Sequence, residues 1–333
     1  MKKNGVLFFL LLLILSINSQ APSFSFIKAT SWPHYAAVEI KPDTSDIDSL
    51  YFSRPVAIVY DKNSLFVLDS EDEEIRVFSK SGALLYSFGR KGQGPGEFQM
   101  PGDIDILGDK VYVADGANRR VQVLDKKGKY LAGFNTPFWP QRILALDPEK
   151  IVLGHIPSGL SGKKKVLHCY NSSGKLQWES IDSYFSGDSV YDLMRNRIFI
   201  KKGNGGDFFF VRSSDDRIIR RIGKDGALVS EIEVTEAYSV KEIDIPAQGG
   251  QKKRLPGFCW NCAVDAEKFY LLIPQFTAAK DLVPGKQIAV IDGGGNIEAF
   301  IDFPFPMTRM AVEGKRVYGL DTEARLRFFT VKR

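Results

Sequence analysis

Runs of five to seven residues dominated by Val, Ile, Leu, Phe and Tyr recur along the chain, each closed by Asp, Asn, Gly or Ser. Such runs, with that punctuation, predict short β-strands joined by tight turns. The runs also repeat as sets. Leu65-Phe66-Val67-Leu68-Asp69 returns as Val111-Tyr112-Val113-Ala114-Asp115, 46 residues later (115 − 69), and again as Val317-Tyr318-Gly319-Leu320-Asp321. Ser81-Gly82, Lys127-Gly128 and Ser173-Gly174 keep the same step, their glycines also 46 residues apart. Two independent landmarks on one period of this size predict a propeller or solenoid, whose units bury their apolar faces only by stacking on neighbours.

With each Gly turn placed between the third and fourth strand of a unit, the chain parses into four-stranded blades. The first comprises Pro55–Asp61, Ser64–Asp69, Glu74–Ser79 and Ala83–Phe88. The second comprises Gly102–Leu107, Lys110–Ala114, Arg120–Leu124 and Lys129–Phe134, and the third Arg142–Asp147, Lys150–His155, Lys165–Tyr170 and Lys175–Ser180. Later turn glycines fall at Gly226 and Gly295, steps of 52 and 69, and the extra length includes a polar stretch, Gln248–Arg254, that reads as a long loop leading into a fifth blade at Phe258. A sixth unit begins near Met307 and reaches the last residue one strand short. A ring of sheets has to close without an exposed edge. The alternating segment Tyr35–Lys41 therefore predicts a fold-closing strand, giving an all-β, six-bladed propeller of antiparallel blades whose last blade is completed from the N-terminal side. A closed ring predicts one cooperative unit over residues 21–333, and a monomer.

Met1-Lys2-Lys3, the apolar run Val6–Leu15 and the small polar residues up to Gln20 have the order of a secretory signal peptide, assigned to residues 1–20. The run is too short to span a bilayer comfortably, and no second run of spanning length follows. Export to a periplasm or the cell exterior is the expectation. Without Lys2 and Lys3 the formal charge falls from +5 to +3, too weak to predict nucleic-acid binding. Three cysteines, Cys169, Cys259 and Cys262, are too few to frame the fold with disulfides.

The stretch Phe88-Gly89-Arg90-Lys91-Gly92-Gln93-Gly94-Pro95-Gly96-Glu97-Phe98, with Pro101–Ile104, Val111–Asp115 and Asn118–Val123, resembles one full NHL repeat. The likeness is close over residues 65–134 and degenerate elsewhere. It implies a secreted NHL-like six-bladed propeller. That family includes binding scaffolds, lactonases and lyases, so the resemblance implies fold and no single activity.

Read residue by residue, the Gly89–Gly102 stretch favours a turn between blades with Phe98 as a plug, since it lacks the Gly-Lys-Ser/Thr ending of a phosphate loop. Asp69, Asp115 and Asp321 read as turn-capping carboxylates. His34, His155 and His168 fall on different strands and at different depths. They do not assemble the zinc cluster of the amidating lyases that the resemblance brings in. Asp103 and Asn261 begin first strands without the Glu that a calcium lactonase would add. Cys259 and Cys262 read as buried free thiols. No catalytic constellation, metal site or cofactor is predicted. The sharper expectation is positional. Blade-to-blade and second-to-third-strand loops share one face, which gathers Arg54, Arg119, Trp139, His155, Trp260 and Arg309 along with the Lys163–Lys165 run and Arg254. That rim predicts capture of an anionic peptide, glycan or protein ligand, while the alternative expectation is a hydrolase or lyase with calcium or zinc on the axis.

Overall fold

A computed structural model describes residues 32–157, 164–214, 217–235, 240–246, 252–276 and 282–332. The assigned signal segment and Lys163 lie outside these residues. Strand β1 (His34–Glu39) comes first, followed by blade 1: β2 (Pro55–Asp61), β3 (Ser64–Asp69), β4 (Glu74–Ser79) and β5 (Leu84–Phe88). Blade 2 holds β6 (Asp103–Leu107), β7 (Lys110–Asp115), β8 (Arg120–Asp125) and β9 (Tyr130–Asn135), and blade 3 holds β10 (Arg142–Asp147), β11 (Lys150–Gly154), β12 (Lys165–Tyr170) and β13 (Leu176–Asp182). A short helix, α1 (Ser189–Arg195), leads into blade 4, made of β14 (Ile198–Lys202), β15 (Phe208–Arg212), β16 (Ile218–Ile222) and β17 (Leu228–Glu233). The hairpin β18 (Lys241–Pro246) and β19 (Lys252–Gly257) precedes blade 5, which runs β20 (Asn261–Asp265), β21 (Lys268–Phe276), β22 (Leu282–Ile291) and β23 (Ile297–Asp302). Blade 6 contains β24 (Met307–Glu313), β25 (Arg316–Asp321) and β26 (Leu326–Lys332).

The predicted closure is present. Strand β1 pairs antiparallel with β26 from Ala36 opposite Lys332 to Glu39 opposite Phe329, and so supplies the fourth strand of blade 6. Its first residues also pair in parallel with β23, His34 opposite Phe300, which ties blades 5 and 6 into one eight-stranded sheet. Of the expected polar loop at Gln248–Arg254, residues 248–251 lie outside the described residues, and its last three residues are strand rather than loop. Lys252–Gly257 pairs in register with Lys241–Pro246 as a separate two-stranded sheet. Backbone complementarity overrides side-chain polarity here, because strand pairing satisfies the amides and carbonyls that face the partner strand whether or not the side chains are apolar.

The core consists of six interblade layers. Leu65 and Val67 of β3 pack with Ala311, Tyr318 and Leu320 of blade 6, whereas Phe66 and Leu68, pointing the other way, pack with Ile104, Val111 and Val113 of blade 2. The same division recurs between blades 2 and 3, 3 and 4, 4 and 5, and 5 and 6. A strand with both faces buried cannot alternate apolar and polar residues, which explains the unbroken apolar runs at each second strand. Phe98 is fully buried in the layer between blades 1 and 2, as a plug.

The three turn aspartates are structural. Asp69 accepts from the amides of Ser53, Arg54, Glu71 and Asp72. Asp115 accepts from the Gln99 amide and from the side chains of Asn118, Arg120 and Gln122. Asp321 accepts from the amides of Glu323 and Arg325 and from Arg327 Nε. Each carboxylate knots the second-to-third-strand loop to its surroundings. In the Gly-rich stretch, Glu97 holds Gly94 N–H and Arg90, while Arg120 and Gln122 bind the carbonyls of Gln93, Gly94 and Glu97. Those backbone groups are turned inward, and none forms a phosphate cradle.

Candidate functional site

The first strands β2, β6, β10, β14, β20 and β24 surround an axial cavity of about 280 Å³. The register of each first strand on its second strand identifies one tier of residues near the mouth. Asp103 faces Ala114, Arg142 faces Gly154, Phe199 faces Val211, Asn261 faces Leu272 and Arg309 faces Leu320, with Val56 in the bulge of blade 1 at the same level. All six line the cavity.

Innermost strands have an unpaired edge, so their backbone groups need partners from elsewhere. The tier supplies them across blade boundaries. Arg142 donates Nε–H to Ile198 O of blade 4 at 3.0 Å and Nη1–H to Gln141 O at 2.8 Å. Arg309 repeats this, with Nε–H to Val56 O of blade 1 at 2.9 Å and Nη1–H to Thr308 O at 2.8 Å. Asp103 accepts the Ile143 amide of blade 3 at 3.4 Å, and Asn261 accepts the Met310 amide of blade 6 at 3.3 Å. Deeper in the channel Asp105 accepts the Ala145 amide at 2.8 Å, and Lys202 Nζ donates to Ala145 O at 3.0 Å.

Arg197, just before β14, completes a basic cluster. Its guanidinium lies 4.9 Å from the centre of the Trp260 ring and 5.9 Å from that of Phe199, while Arg142 lies 5.5 Å over the same Phe199. Desolvation, then repulsion from Arg142 and Arg197, pushes Arg309 down to about 9; Asp103 partly offsets this. Arg197 is pushed down to about 10 by burial and by Arg142. Both remain charged at neutral pH. Burial raises Asp103 despite Arg142 and Lys201, and raises Asp105 to about 6 against the Ala145 amide and Lys202. Among the described residues none of the three arginines forms an ion pair with a carboxylate. Buried cations without counterions are costly to the fold, and an energetically costly cluster in a cavity is a candidate functional site.

The predicted rim residues divide. Arg54 and Arg119 are exposed on second-to-third-strand and blade-to-blade loops, Arg54 Nη2 lying 3.3 Å from Ser70 Oγ. Trp139 covers Gly116, where a Cβ would fall 2.1 Å from the indole nitrogen. Arg309 belongs to the channel rather than the rim, because its strand starts inside the ring. Trp260 stands beside it through Arg197, its Nε1 buried without a hydrogen-bond partner among the described residues. His155 and His168, expected apart, are brought together. Their ring centres are 6.1 Å apart, and Phe138 stacks 4.6 Å from one and 4.4 Å from the other. Cross-strand pairing of Leu153 with His168 leaves His155 two residues beyond Leu153, on the same side of the blade. Burial lowers His155 to about 4, so it brings no positive charge to the face.

Cys259 and Cys262 form no disulfide among the described residues and are buried in one apolar layer. Cys259 lies before β20 rather than on it, so strand alternation does not separate the two thiols. Burial pushes the Cys262 thiol up to about 11, away from redox chemistry. Arg142, Arg197, Phe199 and Asp105 were not among the residues singled out from sequence. Their signal is positional: Arg142, Arg197 and Phe199 sit at or just before the start of a first strand, at the level of Arg309, and Asp105 follows Asp103 two residues deeper on the same strand face.

The tier at the mouth does not suit a divalent cation. Asp103 and Asn261 are the tier's oxygen donors, they stand on opposite blades, and Arg142 and Arg309 lie between them. Hard cations need several convergent oxygens, and a net positive ring repels them.

Residues 44–205 match a family described as a 6-bladed beta-propeller. A segment of 100 residues is 28% identical to human NHL repeat-containing protein 3, covering 28% of this chain and 29% of that relative. Among solved structures, a Bacteroides fragilis protein thought to be exported superposes with a TM-score of 0.62 at 14% identity, over 89% of this chain and 94% of that one. Virginiamycin B lyase from Staphylococcus aureus, solved in a catalytically inactive form with quinupristin, gives 0.54 at 14% identity over 89% and 99%. At such identities the likeness is one of fold. Strand topology, repeat spacing and these likenesses together make the chain a six-bladed β-propeller, similar over 100 residues to an NHL repeat-containing protein.

Proposed function

We propose that this protein is an exported binding module that captures an anionic ligand on its loop face, with the axial mouth as the centre of the site. The observation that carries this reading is the cluster of Arg142, Arg197 and Arg309 around a single carboxylate, Asp103, without ion pairs among the described residues. Arginine suits this task because its planar fork donates to several oxygens at once. Arg54, Arg119 and Trp139 lie farther out on the same loops and would contact a ligand extending from the mouth. The signal-like order of residues 1–20 supports export. The test is binding of acidic peptides and acidic glycans to the parent protein and to an Arg142→Gln/Arg309→Gln variant. Binding should weaken at least tenfold in the variant and fall with added salt. Equal binding by a folded variant would remove the site from the axis.

A catalytic reading has one observation in its favour, the Asp105 carboxyl. Burial in the channel brings it to about 6, where it can exchange a proton near neutral pH. That reading requires Asp105→Asn to abolish turnover of a ligand that it still binds.

A further inference from the structure

The axial tier carries an internal two-fold relation. In ring order it reads Val56, Asp103, Arg142, then Phe199, Asn261, Arg309: an apolar residue, an Asx residue and an arginine, twice. Blades three apart face each other across a six-bladed ring, so Arg142 opposes Arg309 and Asp103 opposes Asn261. Their contacts repeat too. Each Asx side chain accepts the amide of the residue following the arginine of the next blade, Ile143 and Met310. Each arginine fixes Nε and Nη1 on backbone carbonyls, one on the next blade and one on the residue before it. That leaves Nη2 of both unassigned to any acceptor within the described residues. The two guanidinium groups are thereby held rigidly, in the same manner, on opposite sides of the axis.

We infer that this tier holds a phosphate-class dianion, a phosphate monoester in preference to the bare ion, clasped between Arg142 and Arg309 with Arg197 as the third cation. The inference rests on the binding reading above and names the chemistry of its ligand. Charge balance selects the dianion. Three arginines against the Asp103 carboxylate leave two positive charges, which a monocarboxylate would neutralise only by half. Deeper in the channel Lys201 and Lys202 stand against Asp105 and against Asp61, which is itself paired with Lys126, and add to the same sign. Opposed guanidinium groups also suit a tetrahedral group, which presents oxygens in both directions, better than a flat carboxylate with both oxygens on one side. A cavity of about 280 Å³ exceeds the needs of a bare phosphate and leaves room for the group esterified to it. The exchange of Asp103 for Asn261 between the halves is the one change of charge in the tier, and it places a repelling carboxylate beside the anion.

The experiment titrates the full chain at constant ionic strength with inorganic phosphate, glycerol phosphate and acetate, reading calorimetric heat and melting temperature. Both phosphates should bind saturably, the ester more tightly, and acetate should not. Arg142→Gln and Arg309→Gln should each weaken phosphate at least tenfold and by similar factors, because the two side chains are held alike. Arg309→Lys should not restore binding, since one ammonium cannot both hold the Val56 carbonyl and reach the axis. Asp103→Asn should tighten phosphate several-fold, a gain that misfolding cannot produce. Absence of saturable binding, equal binding of acetate, or indifference to both Asp103→Asn and Arg142→Gln would overturn the inference. Bare phosphate binding more tightly than its ester would overturn the preference for a monoester. If phosphate fails while acidic peptides still require Arg142 and Arg309, only the phosphate assignment falls. If the peptides do not require them either, the axial binding reading falls as well.

Discussion

Asp105 is the titrating group whose cost to the fold can be read most directly. Its carboxyl is held at about 6 against an ordinary 3.8, chiefly by desolvation. The folded chain therefore keeps a proton there that the unfolded chain releases, and stability falls as pH rises through the interval between those values. The full loss is at most about 3 kcal/mol, less in proportion to the water the channel admits. Asp105→Asn should thus raise the urea midpoint at pH 7.5 and leave it nearly unchanged at pH 4. An equal effect at both pH values would mean that packing, and not charge, sets the cost. Gly128 illustrates a different constraint. Its φ is +90°, and a Cβ would fall 2.5 Å from Phe88 of the preceding blade. Glycine is required twice over, by the turn and by the neighbour. Gly174 against Phe134 repeats this one blade later, which is why both glycines and both phenylalanines keep the 46-residue step.

Strand β1 is the element on which closure depends. It is paired on both sides, with β26 along most of its length and with β23 at its start, and Ala37 is buried between blades 5 and 6. Proline at position 38 would remove an amide from the middle of the β26 ladder, where bonded pairs alternate from the Ile40 amide on Phe328 O, and fix φ where a strand needs freedom. Val38→Pro should lower stability by roughly 3 kcal/mol or more and promote association through the freed edge of β26. A monomeric variant with an unchanged melting temperature would show that the ring does not need β1. The hairpin of β18 and β19 has a separate role. Ile245 and Leu255 pack with Tyr191 of α1, whose hydroxyl donates to Arg254 O at 2.8 Å. Hairpin and helix thus support each other on the connections that flank blade 4, beside Arg197.

Across the ring each apolar layer is shared by two blades, so no blade owns a core. Loss of one layer exposes the faces of both neighbours, and unfolding should spread around the ring. Phe66→Ala, at the layer between blades 1 and 2, should cost about 3–5 kcal/mol and shift a single calorimetric transition downwards. A split into two transitions would mean that the layers melt separately. The channel is a further product of the ring, since none of its chemistry exists within one blade. Asp103, Arg142, Asn261 and Arg309 each satisfy backbone groups of the next blade and meet only when the last blade joins the first.

Period, blade boundaries, turn glycines and the closing strand were legible in the chain because they depend on local chemistry. A turn needs positive φ, and a strand buried on both faces needs an unbroken apolar run. Phe98 and the three capping aspartates were legible for the same reason. The hairpin at Lys252–Gly257 was not, because its partner is chosen by backbone pairing with Lys241–Pro246 and its side chains carry no strand pattern. The contact of His155 with His168 through Phe138 was likewise hidden, since it joins residues of three different segments. The arginines of the tier follow this logic most fully. Arg309 is visible as a charged residue ahead of an apolar run, but its position opposite Arg142 depends on the register of six first strands. Sequence alone determined the strands of the blades and how many blades they build. Closure of the ring decided which charges share the axis, because only closure brings the starts of all six first strands around one cavity and holds their cations away from bulk water.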